Sequence, residues 1–121
     1  MTLIDMLQSS AEYFEVNNLM VRMISGYPPD GKAVNDEALL EQAISHIEQD
    51  FAFVGVVEHM TRSVHELGRK LNWKSQPTEV LLKNVASNSS AIEINADTRE
   101  AIEACNKLDL MLYDYVTSEL V

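Results

Sequence analysis

Several side chains have types and spacing that could do chemistry. Arg22 carries a planar guanidinium, a shape that holds oxyanions through paired hydrogen bonds. Its competing use is a helix-surface ion pair with Glu12 or Glu15. Glu58 directly follows a short apolar run, at the point where a strand would hand over to a helix. Ligands of open α/β sheets bind at that end of a strand, and a carboxylate there can equally cap the helix that follows. Lys83, Asn84 and Ser87 lie in a polar, turn-rich segment and offer ammonium, amide and hydroxyl donors that suit a phosphate. The alternative is an ordinary surface loop.

Other reactive types form no constellation. His59 and His65 are six apart and point to different faces of one helix, while His46 falls in another, so no metal site is expected. Ser63 and His65 are two apart and do not face each other, which gives no nucleophile and base pair. Cys105 is the only cysteine, so no internal disulfide can form, and its place in an apolar stripe predicts a core position. Glu41, Glu48 and Asp50 read as a solvated acidic face.

Positioning these groups falls to a chain of 121 residues, enough for a single domain over 1–121. Nine basic against nineteen acidic residues give a formal charge of −10. Such a surface repels nucleic acid and anionic membranes, so neither is an expected partner. No apolar stretch approaches the roughly 18 residues of a membrane span, and no leader is recognisable, so the expected location is cytoplasmic.

The periodicity predicts a mainly α protein with one or two short strands. Thr2 caps a first helix with its stripe on Leu3, Leu7, Ala11 and Phe14, and helical spacing resumes over 16–25. The Gly- and Pro-rich 26–31 ends it. Asn35 caps a helix buried through Leu39, Leu40, Ala43, Ile44 and Ile47. The apolar run 51–57 has the length and composition of a strand covered on both faces. A helix starting just after Glu58 carries Met60, Val64, Leu67 and Leu71, and Asp97 caps one long final helix bearing Ala101, Cys105, Leu108, Leu112 and Tyr115. A lone buried strand leaves its own backbone groups unpaired, and the one other candidate strand is 79–85. The apolar surface predicts association, either as a homodimer or with a partner chain.

Over residues 16–118 the sequence resembles the carbohydrate-type sulfotransferases. Asn18-x-x-x-Arg22 followed by Ser25-Gly26 matches the segment after that family's cofactor region. The run 50–58 is similar to its strand ending in Val-Gly-x-x-Glu, and 63–73 to the helix after it. Lys83-Asn84-Val85 with Ser87 resembles its Asn-x-Ser loop, and Asn106, Asp109, Leu112 and Tyr113 its closing helix. The resemblance implies the carboxy-terminal part of an α/β P-loop sulfotransferase fold, with Asn18, Arg22 and Glu58 on the substrate side. It places Lys83, Asn84 and Ser87 beside the 3′-phosphate of 3′-phosphoadenosine 5′-phosphosulfate (PAPS). None of Gly26, Gly31, Gly55 and Gly68 belongs to a glycine-rich phosphate loop, so the 5′-phosphosulfate cradle of the family is missing from this sequence. Two functions are therefore expected: the substrate-side portion of a PAPS-dependent enzyme, inactive alone and without a cofactor of its own unless complemented, or a non-enzymatic helical binding or assembly module on the same scaffold.

Overall fold

The computed structural model of the chain describes residues 2–9, 17–26, 36–77 and 93–121. Among these residues the protein is helical: α1 (Leu3–Gln8), α2 (Leu19–Ser25), α3 (Asp36–Asp50), α4 (Met60–Lys70), α5 (Ala96–Cys105) and α6 (Lys107–Glu119). The ends of these helices have local causes. Thr2 and Asp5 form a reciprocal cap on α1, with the Asp5 N–H donating to Thr2 Oγ1 at 3.2 Å and the Thr2 N–H to Asp5 Oδ2 at 2.8 Å. That bonding holds the Asp5 carboxyl below its ordinary range. The short α2 lies between two left-handed residues, Asn18 (φ 48°) and Gly26 (φ 80°). α4 stops in a Schellman turn. Trp73 N–H donates to Gly68 O at 2.9 Å and Asn72 N–H to Arg69 O at 3.2 Å, with Asn72 left-handed at φ 55°.

Two expectations for the carboxy-terminal region are corrected. The cap of α5 is Asn95, whose Oδ1 accepts from Thr98 N–H at 2.8 Å, rather than Asp97, which occupies the first turn. The single long helix is two, broken at Asn106 (φ −119°, ψ 28°), where the Asn106 side chain turns to bond another part of the chain.

α2, α3 and α6 pack on one another around Val21, Leu39, Ala43, Ile47, Leu108, Leu112 and Val116. Burying a side chain of this class stabilises by roughly 1.5–3 kcal/mol. The predicted stripe of α3 is the observed one, with Leu39, Ala43 and Ile47 buried and Leu40 and Ile44 packed against them. α1 packs on α5, where Leu7 is buried and Cys105 Sγ–H donates to Leu7 O at 3.3 Å. Cys105 is half-buried rather than enclosed. Ala11, Phe14 and Asn35 lie outside the described residues.

The expected strand over 51–57 is the main correction. Residues 51–56 are not helical, and Val56 has extended dihedrals (φ −122°, ψ 147°), but no strand is formed among the described residues. A strand exists through its ladder, and no described segment pairs with this one. The other candidate, 79–85, lies outside the described residues. Val57–His59 form a 3₁₀ turn, so the α-helix begins at Met60. The segment nevertheless alternates as a strand would. Val54 and Val56 pack against the α2–α3–α6 core. Gly55 faces α4, where a Cβ would lie 2.8 Å from Ser63 Cβ and Oγ. No helix among the described residues is long and apolar enough to cross a membrane.

Candidate functional site

Asn18, a substrate-side candidate, sits at the junction of α2 and α6. Its Oδ1 accepts from Leu108 N–H at 2.9 Å and Asp109 N–H at 3.1 Å, capping α6. In return Asp109 accepts from Met20 N–H at 3.1 Å and Val21 N–H at 2.8 Å, capping α2. Asn106 Oδ1 accepts from Asn18 N–H at 3.1 Å. Each helix thus takes its N-terminal cap from the other, across some ninety residues of sequence. Sequence reasoning matched Asn106 and Asp109 to the family motif and missed this role. The signal was present: Asn106 and Asp109 stand at the N-cap and N3 positions of a capping box. Here that box serves a neighbouring helix.

Arg22 is half-buried on α2, with Nη2 donating to Asn17 Oδ1 at 3.2 Å. Next to it, Ser25 is buried and its hydroxyl donates to Arg22 O at 3.1 Å. Neither Glu12 nor Glu15, the expected ion-pair partners, is among the described residues.

Glu58 lies in the 3₁₀ turn, exposed, and makes no cap on α4. It lies instead near Tyr113 of α6, and both residues line one groove. Partial covering of the ring, then the nearby Glu58 carboxylate and the Asp114 charge, hold Tyr113 above its ordinary pKa. The pair closes one end of a groove of about 430 Å³ between the 51–58 segment and α2, α3 and α6, with Met20, Ile24, Val54 and Leu112 along its walls. On the far face of α6, Tyr115 donates to Glu48 of α3 and is likewise raised, by that bond first and then by partial burial.

Glu58 and Asn18 therefore border one groove region: Glu58 lines it directly, and Asn18 bonds Asp109, which also lines it. Arg22 is not part of that lining. Lys83, Asn84 and Ser87 lie outside the described residues. The histidines serve separate local bonds. His46 Nδ1–H donates to Ile24 O at 2.8 Å, and His65 Nε2–H to Pro77 O at 2.7 Å. No group of three or more His, Cys, Asp or Glu side chains among the described residues could hold a metal ion.

Comparison with known proteins gives these residues a setting. The profile of the galactose-3-O-sulfotransferase family matches residues 5–120. Galactose-3-O-sulfotransferase 2 of Homo sapiens is 26% identical over 95 residues, covering 78% of this chain and 23% of that protein. Heparan-sulfate 6-O-sulfotransferase 1 of Gallus gallus is 28% identical over 113 residues, covering 85% of this chain and 26% of that protein, and the Homo sapiens protein of the same name gives the same figures. The chain spans about a quarter of the length of the curated relatives it matches. No solved structure matches. With nearly its whole length inside the family profile, the chain belongs to the galactose-3-O-sulfotransferase family.

Proposed function

We propose that this chain is the substrate-side, carboxy-terminal portion of a PAPS-dependent carbohydrate sulfotransferase, and that it transfers no sulfuryl group unless a cofactor-binding portion is supplied. The observation that carries this is the family match over 5–120 in a chain spanning a quarter of its relatives and containing no glycine-rich phosphate loop. Transfer requires an acceptor hydroxyl to attack sulfur while the S–O bond to the nucleotide breaks, with donors fixed on the moving group. The loop that would hold the 5′-phosphosulfate is not in this sequence.

Within that reading Glu58 accepts hydrogen bonds from sugar hydroxyls at the end of the groove, and Arg22 orients an anionic group. Asn18 acts indirectly, by fixing α2 against α6. Lys83, Asn84 and Ser87 would contribute to the 3′-phosphate edge of the nucleotide once the other side of the pocket is present.

A labelled-sulfate assay on galactosyl and heparan acceptors, with the chain alone and with a relative's cofactor-binding portion added, tests this. The expected result is no transfer alone and transfer on complementation. Turnover by the chain alone overturns it. A non-enzymatic assembly module is the second reading, and the open main chain at 51–56 favours it. Failure of complementation, together with no binding of adenosine 3′,5′-bisphosphate by calorimetry, selects that reading.

A further inference from the structure

The charge of −10 is unevenly spread. Residues 59–77 hold four of the nine basic residues, Arg62, Arg69, Lys70 and Lys74, against one carboxylate, Glu66. Four cations less one carboxylate leave that stretch at +3 and the remainder of the chain at −13. All four cations are exposed. The helical period sets Arg62 and Arg69 two turns apart on one face of α4, roughly 10 Å along its axis, with Lys70 at the edge. Met60, Val64 and Leu67 take the opposite, half-buried face. Arg69 Nη2 pairs with Glu66 Oε2 at 2.6 Å. Arg62, Lys70 and Lys74 form no ion pair among the described residues, although the chain has nineteen carboxylates. At the end of α4, the half-buried Phe53 joins Glu66, Arg69 and Lys70 around a hollow of about 410 Å³. That volume is in the range of small-ligand sites. None of these four residues lines the groove at Glu58, so the two concavities are separate.

These parts suit a sugar that carries an oxyanion. A guanidinium beside an ammonium binds such a group, and a phenyl ring packs on the apolar C–H face of a pyranose. A sulfate presents three oxygens, enough to accept from both cations at once. Arg69 has donors to spare, since Glu66 engages Nη2 and an exposed pair of this kind is weak. The remaining −13 limits the size of the ligand. A stiff duplex laid on α4 would carry further phosphates past that surface, whereas a short oligosaccharide meets the basic face alone. An acidic peptide has the charge but no ring face for Phe53. We propose that Phe53, Arg69 and Lys70, with Arg62 and Lys74 extending the row, form a second saccharide site. It holds a sulfate group already present on a glycan, away from the groove at Glu58. This rests on the carbohydrate reading of the proposed function and adds to it the kind of chain that is handled: one already sulfated at another sugar.

The probe is a fully sulfated heparin hexasaccharide, beside its desulfated counterpart, hexaglutamate and adenosine 3′,5′-bisphosphate. Amide chemical shifts of the full 121-residue chain locate binding, and the same titrations give affinities. The sulfated hexasaccharide should move the amides of Phe53 and of 62–74, and its binding should weaken as salt rises. Lys70→Gln should weaken it about fivefold, and Phe53→Leu about threefold by removing the ring while keeping an apolar side chain. Glu66→Gln should tighten it about twofold, because Arg69 is released; that opposite sign is what a merely sticky surface lacks. Four results would overturn the proposal. The desulfated hexasaccharide could bind as tightly, or Lys70→Gln could leave binding unchanged. Hexaglutamate could match the sulfated probe at the same amides, which would make an acidic peptide the occupant. Adenosine 3′,5′-bisphosphate could bind there more tightly, which would make the hollow a nucleotide site. Binding is read on this chain without any transfer, so failure of sulfuryl transfer leaves the site standing, and loss of the site leaves complementation to be judged by itself.

Discussion

The α2–α6 junction and the 51–58 segment lie side by side yet treat their backbone groups in opposite ways. At the junction, four helix-terminal N–H groups, those of Met20, Val21, Leu108 and Asp109, find side-chain oxygens on the opposite helix. In the segment, a run of similar length has almost no main-chain partner among the described residues. Family resemblance flags residues in both places with equal weight. At the junction they hold the scaffold together within this chain. At the segment they mark an edge left open by it.

The sharpest way to test the closed side is Asp109→Ala. It removes two acceptors from N–H groups at the start of α2, each a bond to a charged group, so about 3 kcal/mol should be lost in urea unfolding. Asp109→Asn keeps one acceptor oxygen and should lose about half as much. If Asp109→Ala costs under about 0.5 kcal/mol, water satisfies those donors and the junction is no better closed than the segment.

Asn18→Ala comes next, at about 2 kcal/mol, since it strips the cap from α6 and leaves a left-handed residue with a Cβ. Asn18→Gly should cost less, because glycine adopts φ 48° freely and only the cap is lost. Both mutations together should fall short of the sum by 0.5 kcal/mol or more, as for groups in one network. Strict additivity would mean that the two caps are independent and merely adjacent.

On the open side the contact that matters is steric. A Cβ at Gly55 would lie 2.8 Å from Ser63 Cβ, so Gly55→Ala should push the segment off α4 at about 1.5 kcal/mol. Adding Ser63→Gly should recover part of this by removing the opposing atoms, less the cost of a glycine inside a helix. No recovery would show that the segment is held by something other than its approach to α4.

The legibility of the two regions in sequence differs for physical reasons. The α3 stripe and the Thr2 cap were visible because both are local: a period of 3.6 and a spacing of three determine them. The break at Asn106 was hidden because its cause is Asn18, 88 residues away, and helical spacing runs on through the break. The apolar run 51–57 was legible, but the expected cover on both faces is not obtained: Val56 is buried and Val54 half-buried, while Phe51, Ala52, Gly55 and Val57 are exposed. Strand pairing was not obtained, because pairing belongs to two segments and the described residues supply one. Glu58 was singled out as a cap or ligand, but its groove neighbour Tyr113 comes from α6, and no spacing rule links the two.

The smallest expected effect is a titration that compares the two sides through their tyrosines. Tyr113 is raised chiefly by partial covering and by Glu58 at the open groove; Tyr115 is raised chiefly by its bond to Glu48 between α3 and α6. For both, the folded value lies above the unfolded one near 10. The stability they contribute is therefore fully present below about pH 10 and lost as pH rises through the folded values. Absorbance at alkaline pH should show Tyr113 and Tyr115 ionising late. Glu48→Gln should bring Tyr115 back toward its ordinary value while leaving Tyr113 late, and Glu58→Gln should do so for Tyr113 only in part, since covering of the ring remains. A full return of Tyr113 in Glu58→Gln would mean that the ring is open to solvent. The groove would then be wetter than its apolar walls imply.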